Sequence, residues 1–333
     1  MRAKVSIIMP VKNVVPYIHD CIQSIQGQSF TDWELLVVDD HSTDQTDKVL
    51  ASFQREDSRI HIYPNQGTGI IPALRLALDK AHGEYVTRFD GDDMMPEGRL
   101  QEMVSALDNT PPKTIVTGKV EYFGSQPISK GYQVYEVWLN DRIDQQDHWN
   151  WIYRECVIAS PNWMLRREEL IDMDAFASMT YPEDYDLVLN WYRHGFTVRG
   201  LETVTLHWRE HPHRTSRNSD HYNQQYFFKL KIRHFVENDL GDHPLVLWGT
   251  DVKGKLTAQL LDEMHVGFTW MGLENNVEPK RILGHRILYF KDIEKITNPK
   301  LLLSIYPSEN QRLPLESYLS DFQLNIGRDY WYL

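Results

Sequence analysis

Sulfur chemistry is scarce in this chain. Its 333 residues include two cysteines, Cys21 and Cys156, and neither belongs to a CxxC. A CxxC redox or zinc motif is therefore excluded, and each cysteine is expected to pack as a small hydrophobe. Long apolar runs are also missing. No stretch approaches the roughly 18 residues that a membrane-spanning helix needs. The opening MRAKVSIIMPVKN has an apolar run too short for a signal peptide and a lysine directly after it, so the expected location is the cytoplasm. Basic residues are outnumbered, 35 against 47 acidic ones, for a net charge of −12. That disfavours nonspecific nucleic-acid binding and gives no reason to expect anionic lipid, although a local basic patch would leave peripheral membrane association open. No internal repeat or low-complexity segment stands out. What is present is ordinary globular material, 41% hydrophobic and 25% charged, in a chain too long for one small core. Aromatics are plentiful at 12%, with ten Trp; such rings stack on sugars and bases but also fill cores.

The apolar pattern alternates between two periods. Val5 to Met9 reads as a buried strand, 15–27 as an amphipathic helix, Glu34 to Val38 as a strand, and 44–54 as a helix with Ser42 or Thr43 as its N-cap. Ile60 to Tyr63 is a short strand, 70–81 a helix stopped by Gly83, Glu84 to Phe89 a strand and 97–108 a helix. This succession predicts an α/β fold with a mostly parallel central sheet covered on both faces. Residues 124–160 read as a loop-rich excursion with one helix, 161–165 as a strand, 181–194 as a helix, 203–208 as a strand and 220–238 as a long helix. At Gly241-Asp242-His243-Pro244 the pattern restarts. The expected domains are 1–218, a connecting helix and linker over 219–242, and a small α/β domain over 243–333.

Ligands of open α/β sheets gather beyond the carboxyl ends of strands. Three polar clusters fall at such ends: Pro10-Val11-Lys12-Asn13, Asp39-Asp40-His41-Ser42 and Asp90-Gly91-Asp92-Asp93. In the last, Asp90 and Asp92 can share a face, with Gly91 letting backbone approach a ligand. Oxygen ligands of this kind suit a hard divalent cation. The same acids also suit a helix cap or a solvated turn.

Val5-Ser6-Ile7-Ile8-Met9-Pro10-Val11-Lys12-Asn13, then Val37-Val38-Asp39-Asp40-His41-Ser42-Thr43-Asp44, then Gly83-Glu84-Tyr85-Val86 running into Phe89-Asp90-Gly91-Asp92-Asp93, together resemble the family-two inverting glycosyltransferases of the GT-A fold. The likeness covers about residues 4–215. It implies that Pro10, Val11, Lys12 and Asn13 contact a nucleotide, and that Asp40 accepts a hydrogen bond from its base, as uracil would offer. An Asx-turn or helix cap is the competing reading of Asp40. Asp90 and Asp92 would form the DxD pair, with Asp92 the more direct ligand of Mn²⁺ or Mg²⁺. The ion would let carboxylates and diphosphate share a partly dry cleft. Arg75 stands where many relatives carry Asn, and reads either as a phosphate or donor-sugar contact or as a surface helix residue.

Tyr181-Pro182-Glu183-Asp184-Tyr185-Asp186 follows about 90 residues later. Thr180 and Glu183 have capping-box spacing, and acids suit a helix start. The resemblance places an ED motif here, with Asp184 as general base, Glu183 second and Asp186 third. Inverting displacement requires such a base, because the acceptor hydroxyl must lose its proton as it attacks. In His207-Trp208-Arg209-Glu210-His211-Pro212-His213-Arg214-Thr215-Ser216, the resemblance makes His211 a further metal or diphosphate ligand and Arg214 and Ser216 phosphate contacts. A polar surface loop is the alternative, and His207, on a strand, is expected to be structural.

Downstream, Gly249-Thr250-Asp251-Val252-Lys253-Gly254-Lys255-Leu256 fits the start of a P-loop, but Leu256 replaces the Ser or Thr that holds Mg²⁺. It also fits GxGxxG, but with Asp251 where the middle Gly should admit a pyrophosphate. This end therefore reads as a Rossmann-like half-domain with a structural, docking or homo-oligomerisation role: strand 245–248, helix 254–264, and strands near 266–270, 286–290 and 301–305. The expected activity is metal-dependent, inverting transfer from a nucleotide-diphosphate sugar, UDP-linked on this reading, to a saccharide or lipid-linked acceptor. The rival is a non-catalytic sugar-nucleotide-binding or assembly protein working through its C-terminal domain; an intact ED motif argues against it. Nucleotidyl transfer shares the DxD logic but would want a Gly-rich basic loop after the first strand.

Overall fold

The computed structural model describes residues 3–273, 280–305 and 309–333. The chain forms two compact units: Met1–His148 with Ile158–Ser219, and Trp149–Val157 with Asp220–Leu333.

In the first unit, strands and helices alternate: β1 Val5–Val11, α1 Val15–Gln26, β2 Trp33–Asp39, α2 Thr46–Glu56, β3 Ile60–Pro64, α3 Ile70–Lys80, β4 Tyr85–Arg88 and α4 Arg99–Asp108. β5 Thr114–Phe123, α5 Lys130–Gln145, β6 Met164–Arg166, α6 Arg167–Asp172, α7 Glu183–Arg193, β7 Thr197–Arg209 and the single turn α8 Thr215–Asn218 complete it. The sheet order is β3-β2-β1-β4-β6-β5-β7. β3, β2, β1 and β4 run parallel, as do β5 and β7, and β6 is antiparallel to both neighbours. Ile7, Ile8, Leu35, Leu36, Val37 and Val38 are sealed, which is why β1 and β2 read as unbroken apolar runs rather than alternating ones. All four parallel strands of the β3 to β4 group deliver their carboxyl ends to one edge, so the loops after them converge.

Two strands differ from the sequence expectation. β5 lies in a stretch where no element was expected, and β7 is 13 residues long, well beyond the expected 203–208. The one helix expected in the excursion after residue 124 is present as the regular 16-residue α5. Neither Ser42 nor Thr43 caps α2; its N-cap is Gln45, without a side-chain cap bond. The Ser42 hydroxyl instead serves the Asn13 backbone N–H and the Asp39 carboxylate. The capping box at Thr180 and Glu183 does not form either, because Pro182 is the N-cap of α7 and the Glu183 carboxylate is engaged elsewhere.

In the second unit, α9 Gln224–Phe235 starts on Asn223, whose side chain accepts from two backbone N–H groups. After it come β8 Leu245–Trp248, α10 Val252–Glu263, β9 Phe268–Gly272, β10 Arg281–Ile282, β11 His285–Tyr289, β12 Lys300–Leu303, α11 Glu309–Asp321 and β13 Tyr330–Tyr332. The sheet order is β10-β11-β9-β8-β12-β13, with β10 alone antiparallel. Residues 149–157 pack here: Trp151 stacks on Tyr332 at 5.3 Å, and Tyr153 meets Phe235 and Trp331 edge-on. No helix among the described residues is long and apolar enough to cross a membrane.

Candidate active site

The loops at the carboxyl ends of β1 and β2 are stitched together. Asn13 adopts a left-handed φ of 55°. Its side-chain oxygen accepts from the Thr43 N–H at 2.7 Å. The Asp40 N–H donates to the Val11 carbonyl, and Lys12 Nζ lies 3.2 Å from Asp40 Oδ2. Asp40 itself is buried, and its Oδ1 accepts from Asn65 Nδ2 at 2.7 Å and the Gly69 N–H at 2.9 Å. It makes neither an Asx-turn nor a helix cap; the turn bond to Ser42 belongs to Asp39. Pro10, Val11, Lys12, Asn13 and Asp40 therefore form one wall. Asn65, which follows β3, belongs to it as well. That residue was missed in the sequence, although Asn65-Gln66-Gly67 is a fourth polar cluster at a strand end.

The acids after β4 lie among arginines. Arg88 is 5% exposed at its side chain; its Nε and Nη2 grip Asp90 at 2.8 and 3.2 Å, and its Nη1 reaches Glu183 Oε1 at 3.1 Å. Part of the positive charge demanded by the acid cluster therefore lies within the RFDGDD segment itself. The signal was there: a charge ending a strand covered on both faces must be paired. Arg99, also buried, donates to Thr205, Thr87 and Pro161 beneath the same acids. Asp93 is sealed, and its Oδ1 accepts from the Arg209 N–H at 2.8 Å. Burial, with the charge of Asp92 added, pushes the Asp93 carboxyl well up. Neither Asp92 nor Asp93 caps α4, whose N-cap is Gly98. Gly91 does not face open space: a Cβ there would lie 2.8 Å from Val11 Cγ1 and 3.2 Å from Ile18 Cδ1. It lets the acidic turn sit down on the first loop.

Asp92 Oδ2 faces His211 Nε2 at 2.9 Å, and His211 leans on the Tyr17 ring at 4.3 Å. Burial pushes the Asp92 carboxyl up, but the His211 bond and the Arg214 charge outweigh it and hold it below the ordinary range. Among the described residues no three His, Cys, Asp or Glu side chains converge to hold a metal alone. A carboxylate oxygen and an imidazole nitrogen side by side could nevertheless contribute two ligands to a divalent cation. Nδ1 of His211 now accepts from the His213 N–H, so an ion at Nε2 would require the proton to change nitrogens. Arg214 lies 4.8 Å from the Trp208 ring and 3.4 Å from Glu210. The side chain of Ser216 lies outside the described residues.

Asp184 follows Glu183 in the first turn of α7 and is half-buried. Burial, then the neighbouring Glu183 charge, pushes its carboxyl up to about 7, against the pull of Arg88. Asp186 turns away and bonds Asn190 and Ser178. The Tyr181 phenol is pushed up by burial and by the charges of Glu183 and Asp40. Arg75 does not stand free: its Nε and Nη2 donate to the carbonyls of Phe176 and Ala177 at 2.5 to 3.0 Å, anchoring the segment that leads into α7.

Two other candidates resolve differently. An open groove of about 620 Å³ at the amino ends of β1 and β4 is lined by Lys4, Glu84, Arg166 and Glu169 among others. Its main cations are already engaged: Lys4 pairs with Glu84, and Arg166 donates to three carbonyls. In the second unit, the Asp251 carboxylate caps α10 by accepting from Gly254 N–H at 3.0 Å. A Cβ on Gly254 would lie 2.2 Å from the Gly249 carbonyl. Those glycines serve the turn's own packing, and an acid fills the helix start where a pyrophosphate would sit.

An α/β sheet with donor-binding loops and acids along one carboxyl edge is the plan of a GT-A-type transferase. The sequence profile of "Glycosyl transferase family 2" matches residues 6–173, and the chain belongs to that family. The match ends before Glu183, so the second acidic motif lies outside it. A putative teichuronic acid biosynthesis glycosyltransferase of Bacillus subtilis, TuaG, is 38% identical over 104 residues, 31% of this chain and 41% of that protein. The match thus spans less than half of that relative. The S. aureus TarS structure with UDP-GlcNAc superposes with a TM-score of 0.56 at 18% identity, covering 78% of this chain and 71% of that one. A Pyrobaculum calidifontis mannosyltransferase with GDP-Man and Mn²⁺ gives 0.53 at 20% identity over 71% and 64%. At such identities these neighbours establish the fold alone.

Proposed function

We propose that this glycosyltransferase moves a sugar from a nucleotide-diphosphate donor, UDP-linked, to a hydroxyl of a saccharide or lipid-linked acceptor, with inversion in a single displacement. The observation that carries this reading is the contrast between Glu183 and Asp184. Glu183 is buried in an ion pair with Arg88, whereas Asp184 is half-exposed with its carboxyl near 7. Adjacent carboxylates held in different environments separate an anchor from a proton acceptor. Asp184 takes the acceptor proton; an acid tuned close to working pH is the efficient choice. The wall formed by Pro10 to Asn13, Asp40 and Asn65 receives the base and ribose. Asp92 and His211 would hold Mn²⁺ or Mg²⁺, which supplies charge stabilisation to the departing diphosphate. Asp90, fixed by Arg88, lines the donor side, and Arg214 reaches the same charge cluster. Teichuronic acid in the name of one relative supports a polymeric glycan acceptor, and the UDP-GlcNAc and GDP-Man named with the two structural neighbours are in keeping with a nucleotide-diphosphate sugar donor.

The test is nucleotide release across UDP-, GDP- and dTDP-sugars, with Mn²⁺, with Mg²⁺ and with chelator. Release from a UDP-sugar that vanishes on chelation and returns with Mn²⁺ is expected. Full turnover in chelator would overturn the metal assignment. Nucleotide-dependent binding to another protein without turnover would favour a non-catalytic role.

A further inference from the structure

We propose that Arg88 is a positioning residue that clamps the two acidic motifs together, holding Glu183 so that Asp184 is presented at a fixed distance from the donor side of the cleft. The inference rests on the functional reading above and goes one step beyond it, to the part that aligns donor with base.

Arg88 is the last residue of β4 and Glu183 the first of α7, 95 positions apart in sequence. The guanidinium uses its two edges for two tasks. Nε and Nη2 form a fork on Asp90, and Nη1 points the other way to Glu183. A planar group with five fixed donors can do both at once; a lysine ammonium on its flexible stem cannot reproduce the fork. Arg88 and Glu183 are 5% and 3% exposed at their side chains. Moving the start of α7 away from β4 would break the Arg88–Glu183 pair in a buried setting, which is strongly unfavourable. The helix start is therefore pinned to the strand end that carries the DxD turn. Asp184, one residue on, inherits that placement, with its Oδ1 accepting from the Tyr185 N–H at 2.8 Å. Three charged groups face it: Glu183 on its own helix, Arg88 from β4 and Asp90 from the turn after β4. Displacement of a reacting group by about 1 Å is enough to cost roughly 10²-fold in rate.

A cycle of Arg88→Gln, Glu183→Gln and the double variant tests this. Each single change should lower kcat by roughly 10²-fold. Because both break one clamp, the double variant should be no slower than the slower single one. Losses that multiply would mean that Arg88 acts through Asp90 alone, and would overturn the proposal. Glu183→Gln should leave donor KM within about threefold of wild type, since it acts on alignment, and so on kcat, rather than on donor binding. The acid limb of the pH profile should move down in Glu183→Gln, which removes a negative neighbour, and up in Arg88→Gln, which removes a positive one. A merely structural role would depress activity at every pH without moving the limb. Arg88→Lys should stay close to Arg88→Gln in kcat; full rescue by lysine would refute the fork. The same cycle read by urea unfolding needs no donor. Non-additive stabilities with no turnover of any sugar nucleotide would sink the functional reading and leave the clamp standing. Additive stabilities in a turning-over enzyme would sink the clamp alone. If a single variant fails to fold, the double one removes the lone Glu183 charge, and wild-type kcat in that variant would overturn the proposal.

Discussion

Asp184 and Glu183 are neighbours with identical charge and nearly identical chemistry, yet the fold gives them opposite tasks. The sign of the Asp184 shift sets two expectations. Its carboxyl is raised from an ordinary 3.8 to about 7, so the deprotonated base disappears as pH falls through that value. The rate at limiting acceptor should drop about tenfold per unit below pH 7, measured as kcat/KM from pH 5 to 9. A flat profile across pH 6 to 8 would remove Asp184 from the proton transfer. For stability the direction is reversed. A group whose folded pKa exceeds its unfolded one stabilises the fold when protonated, and that contribution is whole below about pH 4 and is lost as pH rises through about 7. Asp184→Asn removes the ionisation. It should keep UDP binding by calorimetry, lose transfer by roughly 10²- to 10⁴-fold, and melt no lower than wild type at pH 8. Near-normal transfer by the variant would reassign the base.

At the scale of elements, the segment before α7 is held by Arg75 rather than by a helix cap. Three donor contacts run from its guanidinium to the carbonyls of Phe176 and Ala177. Arg75→Ala should therefore lower kcat more than it raises donor KM, and should open residues 173–180 to limited proteolysis. A large rise in donor KM with unchanged proteolysis would restore Arg75 as a phosphate contact. Gly91→Ala is the second element-scale case. Its new Cβ would press on Val11 and Ile18, and overpacking of this kind costs about 1–3 kcal/mol, read as a lowered unfolding midpoint. How much of this was legible follows from burial. β1, β2 and β8 are covered on both faces, so they appear as VSIIM, ELLVV and LVLW, and the acids after the parallel strands could be placed at once. β5 was hidden because its pairing with β7 shifts register around Gly118 and Lys119, which breaks the alternation. β7 carries exposed Glu202 and Thr203 in mid-strand, so only its buried end showed. α5 leaves Val134 and Val137 about 60% exposed, 59% and 60%, which blurs its helical period. Arg88 and Asn65 stand at strand ends where the sequence could flag them, but their partners lie 95 and 25 residues away, and local pattern carries no such distance.

The whole molecule divides along a line that the chain crosses more than once. Residues Trp149–Val157 belong with Asp220–Leu333, although they are embedded in the sequence of the first unit. What fixes them is specific. Trp151 stacks on Tyr332, Tyr153 packs edge-on against Phe235 and Trp331, and the Tyr153 hydroxyl donates to Asp239. Trp151, Ile152 and Tyr153 are all buried. A chain ending at Ser219 would keep these three large apolar side chains and lose every one of those partners. Burying a single side chain of this size is worth about 1.5–3 kcal/mol, which is a large share of a typical net stability of about 5–15 kcal/mol. The truncated chain should accordingly bind a hydrophobic dye, elute as aggregates and melt well below the full chain, even though it retains every residue of the proposed site. Replacing Trp151 and Tyr153 with Ser and Gln in the truncated chain should recover monodispersity, because the liability is the exposed surface rather than a lost catalytic group. If the unmodified truncated chain instead remains monomeric and melts cooperatively at the full-length temperature, residues 149–157 do not depend on the second unit, and the two units are separable at Ser219.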